Sequence, residues 1–370
     1  MTGNGNLEVE YVAIDRIAEL PARLAASQRS ALGIAVFGAV PGVAMAALPA
    51  EFLALPRAEI GLPVLTGEAA FVEVWSVGGV MIRPGDRDRG ADIRYASSRD
   101  ALFATITITE ASHVGDLQCA TAHAYDALFA LLDAEGFPFP LRFWNYLPDI
   151  TLRACTAETE SEPARGAEPV NENAVERYRS FNAGRQDAFV AHARSIADGA
   201  PAACALGTAH GPMTIYVLAA KAAPRAIENP RQISAYRYPP QYGARSPTFS
   251  RAALARVGGQ EILFISGTAS IVGHETVHRG DLVLQTEETL NNIEALLAAV
   301  ARVGTARPRP DDLLLKIYIR HEKHLDAAQA VVARRFGTSV RAIYLRADIC
   351  RSELLIEIEA VATFKHEEGR

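Results

Sequence analysis

The run ADICRSELLIEIEAVATF (347–364) places carboxylates where acid–base chemistry could use them. Read as a strand, it puts Glu353, Leu355, Glu357 and Glu359 on one face and Leu354, Ile356 and Ile358 on the other. The pattern alone favours a half-solvated strand with its carboxylates in water. A sharper reading makes Glu357 a buried acid. Apolar neighbours and the second carboxylate at Glu359 would both raise its pKa and keep a proton available at neutral pH. On the preceding strand Arg346, Asp348 and Cys350 share a face. Cys350 taken alone reads as a small core residue rather than a nucleophile.

A second stretch, SGTASIVGHETVHRGD (266–281), admits three chemistries. As a phosphate loop it lacks both GK[ST] and GxGxxG, and the helix that follows starts too far downstream to hold an anion. As a metal site it offers His274, Glu275 and His278, which fit HExxH letter for letter. That motif needs a helix, whereas β-branched Thr276 and Val277 follow a glycine here and favour a strand or loop. No metal is expected. The third reading is a turn that shapes a pocket, with Gly267 letting the backbone approach a ligand.

A third candidate is APRAIENPRQISAYRYPPQYGARSP (223–247). It is too rich in Pro, Arg and Tyr to be a passive linker. Arg237 and Arg245 carry planar forks suited to carboxylates, and Tyr238 and Tyr242 would add hydroxyls to an apolar wall. The plain alternative is a surface turn stiffened by Pro239-Pro240.

The elements that must hold these residues recur along the chain. The helix AYDALFALLDAEG (124–136) matches NIEALLAAVARVG (292–304) at an offset of 168 positions, and both end in Gly. Each is followed by a strand (LRFWNYL, 141–147; LLKIYIRH, 314–321), a second helix (around 180–193 and 324–336) and closing strands (MTIYVLAAK, 213–221; LLIEIEAVATF, 354–364). LFATITITEA (102–111) and EILFISGTASI (261–271) precede them. Strand, helix, strand, helix, strand thus occurs twice, which predicts an α+β fold of two units, each a mixed sheet with helices packed on one face. The expected division is 1–222, with an N-terminal extension and a polar insertion at 151–173; a joint at 223–247 contributing to the site; and 248–370. The first 65 residues offer only a short helix near 17–28 and buried strands.

Composition narrows the partners. The 370 residues are 49% hydrophobic and 22% charged, with a net charge of −6 and no basic block. Neither nucleic acid nor an anionic membrane surface is expected as the main partner. The four cysteines (Cys119, Cys155, Cys204, Cys350) form no CxxC. The N-terminus lacks the features of a signal peptide, so the expected location is cytoplasmic. Residues 31–50 carry no charge, but Pro41, Pro49 and three glycines interrupt them, so LGIAVFGAV reads as a buried strand rather than a membrane span.

From SPTFSRA (246–252) to EIEAVA (357–362) the chain resembles a RidA/YjgF domain, on PTFSRA, the FISG strand end, QTEETLNNIEALL, LLKIYIRHEKHLDAA and IEIEAVA. The first half resembles the same unit more faintly. Two such units, joined by YRYPPQYGARSPTFSRA and carrying SGTASIVGHE, resemble the chorismatase family over most of the chain after about residue 65. The resemblance implies cleavage of the enolpyruvyl ether of chorismate to pyruvate, without cofactor or metal. It implies Glu357 as the acid, Cys350 as the mark of the branch forming 3-hydroxybenzoate (with 4-hydroxybenzoate in some members) rather than a cyclohexadiene diol, and Arg346 and Arg245 as carboxylate clamps. Tyr238, Tyr242, Gly267 and Tyr318 complete the expected substrate site. In the first half, Ile215 is expected at the position of Glu357. RidA proteins are trimers, so a monomer or a homotrimer is expected. An imine deaminase, the activity of RidA itself, and a non-catalytic binder of small anions are the alternatives. The RidA pattern has cysteine two residues after its arginine, where this chain has Asp348, which weakens the deaminase reading.

Overall fold

The computed structural model describes residues 6–40, 42, 44–78, 83–84, 93–109, 116–154, 175–304 and 307–364. The chain opens with β1 (Leu7–Ala13), α1 (Leu20–Ala26), β2 (Arg29–Gly38), α2 (Ala50–Leu53), β3 (Arg57–Ile60) and β4 (Ala70–Gly78). Next come β5 (Arg83–Pro84), β6 (Ile93–Ser97), β7 (Ala101–Ile108), α3 (Leu117–Ala134), β8 (Phe139–Pro148), the ribbon β9 (Arg153–Ala154) and β10 (Val175–Glu176), α4 (Arg177–Ala191), β11 (Ala202–Thr208) and β12 (Met213–Ala220). The last part holds β13 (Arg225–Ile227), β14 (Ala252–Val257), β15 (Gln260–Ala269), the ribbon β16 (Ile271–Val272) and β17 (Glu275–Thr276), then α5 (Leu282–Val303), β18 (Leu314–Ile319), α6 (Leu325–Phe336), β19 (Arg341–Arg346), β20 (Asp348–Ile349) and β21 (Ile356–Phe364).

Both expected α+β units are present, and the residues ahead of them form a third sheet of the same plan. The three sheets contain the orders β1-β4-β2-β3, β7-β12-β8-β11 and β15-β21-β18-β19. In each, the first pair is antiparallel, the second antiparallel and the third parallel. A helix follows the first strand and another follows the second in every unit. The opening unit escapes a sequence reading because α1 has 7 residues and α2 has 4, too few to show a helical period. Positions 155–174, most of the expected insertion, lie outside the described residues.

Local chemistry sets the long helices. Asp116 caps α3 by accepting from the backbone N–H of Gln118 (2.8 Å), and Asp281 caps α5 by accepting from Leu284 (3.0 Å). Helices cover the outer face of each sheet. The inner faces share one core, with Phe37 and Trp75 from the first unit, Trp144 and Tyr216 from the second, and Phe264 and Tyr318 from the third. A strand covered on both sides reads as a near-continuous apolar run, which explains the uncharged run in β2. No helix among the described residues is long and apolar enough to cross a membrane.

Neighbouring units also share backbone. β20 of the third unit pairs with β11 of the second. Leu65 N–H donates to Tyr344 O (2.9 Å) and Arg346 N–H to Pro63 O (2.9 Å), which ties the first unit to β19.

Where the inner faces meet lies a buried ionic centre drawn from all three units. Lys316 Nζ sits 2.5 Å from Glu73 and 2.9 Å from Glu359. Arg142 reaches the other oxygen of Glu359 at 2.5 Å. The indole N–H of Trp75 donates to Glu73 (2.7 Å) and that of Trp144 to Glu359 (3.0 Å). Two cations thus face two carboxylates, which is what burial of charge requires.

Candidate active site

Glu357 and Glu359 both lie on the inner face of β21, and both are buried, at 4% and 3% exposure. The half-solvated strand is therefore overturned: the face that was to meet water meets the other two sheets. The two carboxylates differ in what surrounds them. Burial and then the Glu359 charge push Glu357 up to about 8, against the opposing pull of Arg142 and Arg251. Burial would raise Glu359 too, but Lys316 and Arg142 outweigh it and hold it at about 2.

Glu357 opens onto a cleft of about 350 Å³ between the second and third units. Gly267 forms the wall beside it. A Cβ there would stand 1.9 Å from the Glu357 carboxylate oxygen and 3.2 Å from Cys204 Cβ, so only glycine leaves the carboxyl in place. The register slip between Ile265 and Thr268 in β15 places Gly267 in an irregularity of the ladder. Cys350 also lines the cleft, its thiol pushed up to about 12 by burial and by Glu357, so it carries a proton rather than a nucleophilic charge.

The far wall is cationic and aromatic. The Arg351 guanidinium stacks 4.1 Å from the Tyr242 ring centre and donates to His274 O (2.9 Å). Arg251 donates to Tyr238 Oη (2.6 Å) and to Ile233 O (2.8 Å), and its Nε is buried without a partner. Arg179, at the start of α4, and Arg279 also line the cleft, as do Glu176 and Glu353, so four arginines stand with three carboxyl groups. His274 and His278 take other partners: His274 Nδ1 meets Tyr242 Oη at 3.2 Å, and His278 lies 3.8 Å from Glu288. Among the described residues no cluster of His, Cys, Asp and Glu could hold a metal ion.

Comparison with known proteins bears on this arrangement. The N-terminal model of the FkbO/Hyg5-like chorismatases matches residues 73–219. A 3-hydroxybenzoate synthase of Streptomyces hygroscopicus is 34% identical over 89% of this chain and 92% of its own length. The chain belongs to the chorismatase family. A chorismatase of Streptomyces rapamycinicus is also 34% identical, over 80% of this chain and 83% of its own. A crystal structure of a chorismatase superposes with a TM-score of 0.80 at 28% identity, covering 98% of this chain and 99% of the other.

Within this chorismatase-family fold, five expected site residues meet at one cleft: Glu357, Cys350, Gly267, Tyr238 and Tyr242. Three do not line it. Arg346 ends β19 exposed, its backbone N–H given to Pro63. Arg245 is half-exposed and pairs with Asp187 at 3.2 Å and Gln186 at 3.1 Å. Tyr318 is fully buried, its hydroxyl 2.7 Å from that of Tyr146 and 3.3 Å from Glu359. The cations at the cleft are instead Arg251, Arg351, Arg179 and Arg279. Arg251 stands inside the PTFSRA motif and Arg351 directly follows Cys350, so both were in view; what a sequence lacks is which of many arginines turns inward. The expected equivalence of Ile215 with Glu357 is also off by one. Tyr146 faces Thr214 across the β8–β12 ladder as Tyr318 faces Glu357, and Ile215 points to the helices instead.

Proposed function

We propose that this protein cleaves the enolpyruvyl ether of chorismate to give pyruvate and 3-hydroxybenzoate, with Glu357 as the general acid. The observation that carries the reading is a carboxyl held at about 8 in a cleft lined by arginines and tyrosines. Protonating the methylene carbon of an enol ether makes an oxocarbenium ion, and that step needs an acid still protonated at neutral pH, close to carbon and shielded from water. Once the proton has left, the Glu357 carboxylate stabilises the cation it has created. Chorismate carries two carboxylates, and Arg251 and Arg351, rather than Arg245 and Arg346, are the proposed clamps. Tyr238 and Tyr242 wall the ring, and Gly267 leaves room for the ligand against Glu357.

Net conversion to the hydroxybenzoate consumes no water, whereas the diol retains one. Cys350, protonated and beside Glu357, occupies space on that wall and supports the aromatic product. The family relatives named a 3-hydroxybenzoate synthase and chorismatases support the same reading. The test is incubation of purified, metal-free protein with chorismate, with products resolved by chromatography beside Glu357→Gln. Pyruvate with 3-hydroxybenzoate, absent in the variant, is the expected result. The diol as sole product would overturn the branch, and no pyruvate would overturn the reaction.

A further inference from the structure

The boundary between the first and second units holds another cleft, of about 380 Å³. Ladder register makes it the counterpart of the cleft at Glu357. Thr107 pairs with Thr214 as Ala269 pairs with Glu357, so a threonine stands where the other cleft has its acid. Thr105, Thr107, Thr208 and Thr214 line it, and Tyr146 shares its wall. Thr208 Oγ1 is buried with no hydrogen-bond partner, which leaves unspent bonding capacity at this wall. The charged lining is Arg57, Arg94 and Glu59, with His210 beside them. Arg57 is paired with Glu59 at 3.1 Å, while Arg94 is exposed and without an ion-pair partner among the described residues. One unbalanced positive charge above a floor of hydroxyls suits a ligand with one carboxylate and at least one hydroxyl.

We propose that this cleft is a second, non-catalytic binding site for a small hydroxylated monocarboxylate. The Arg94 guanidinium takes the carboxylate and the threonines take the hydroxyl. No acid faces the cleft at the Glu357 position, so the ligand is held and not converted.

The probe is 3-hydroxybenzoate, titrated calorimetrically into the full-length chain, its Arg94→Ala and Thr214→Val variants, and Arg351→Ala, which disables the other cleft. The expected result is a binding event weakened about tenfold or more in Arg94→Ala and Thr214→Val but kept in Arg351→Ala. Benzoate, lacking the hydroxyl, binds there more weakly still. Arg94→Ala leaves chorismate turnover unchanged. Survival of every binding event at full strength in both Arg94→Ala and Thr214→Val overturns the proposal. Because the readout is binding, a protein that fails to turn over chorismate still decides the matter.

Discussion

Glu357 and Glu359 stand two residues apart on one strand face, and their surroundings send their pKa values in opposite directions, to about 8 and about 2. The sequence shows the pair and its face. It does not show that Lys316 and Arg142 come from other strands to claim only Glu359. If Glu357 supplies the proton, kcat/KM for chorismate is flat below its pKa and falls as pH rises through about 8, since the acid is lost above that value. Glu357→Gln lowers kcat by about a hundredfold or more at every pH. Glu359→Gln removes a neighbouring negative charge and leaves Arg142 and Lys316 less compensated. Both changes lower the Glu357 pKa, so the falling limb moves to lower pH. A limb that stays in place in Glu359→Gln would show that another group sets it. Gly267→Val places branched carbon on the Glu357 carboxyl and should abolish turnover while the protein still unfolds cooperatively, as circular dichroism would show.

At the scale of elements, the loop between β20 and β21 carries Cys350 and Arg351, and one side chain organises it. Arg320 donates to the carbonyls of Leu354 (2.8 Å), Ile349 (2.9 Å) and Arg351 (3.0 Å) and pairs with Asp348 at 2.7 Å. Gln285 of α5 closes the same loop, donating to Glu353 O (2.9 Å) and accepting from Leu355 N–H (2.8 Å). Both residues stand inside the runs that carry the resemblance, LLKIYIRH and QTEETL, so the sequence displayed them without disclosing their task. Repeated helices and strands were readable because amphipathic period survives in 18- and 22-residue helices. Loop-holding contacts have no period to read. A lysine at 320 keeps the charge but not the fork, so Arg320→Lys should lower kcat/KM about a hundredfold, chiefly through KM as Arg351 drifts. A loss confined to thermal stability, with kinetics unchanged, would assign Arg320 to folding alone.

For the whole molecule, three sheets of one plan close around a core that none of them owns. The ionic centre makes this dependence explicit: Glu73 belongs to the first unit, Arg142 to the second, Lys316 and Glu359 to the third. Lys316→Met leaves Glu73 with no cation and Glu359 with Arg142 alone, and should cost about 3–5 kcal/mol, seen as a lower denaturant midpoint. The same logic bears on residues 1–78, the part of the fold least legible in the sequence. Their helices are too short to announce themselves, and their role is visible only from what they cover. Phe37 packs edge-on to Tyr146 at 5.9 Å, and Trp75 lies 5.7 Å from Trp144 and 6.0 Å from Phe264. Removing this unit would bare those aromatic faces, uncover the edge of β19 and leave Lys316 without Glu73. A chain lacking residues 1–78 should therefore lose its cooperative transition and bind a hydrophobic dye, although it keeps the whole cleft around Glu357. If that shortened chain instead unfolds cooperatively near the midpoint of the full protein, the first unit is an appendage and the shared core is not what holds the other two together.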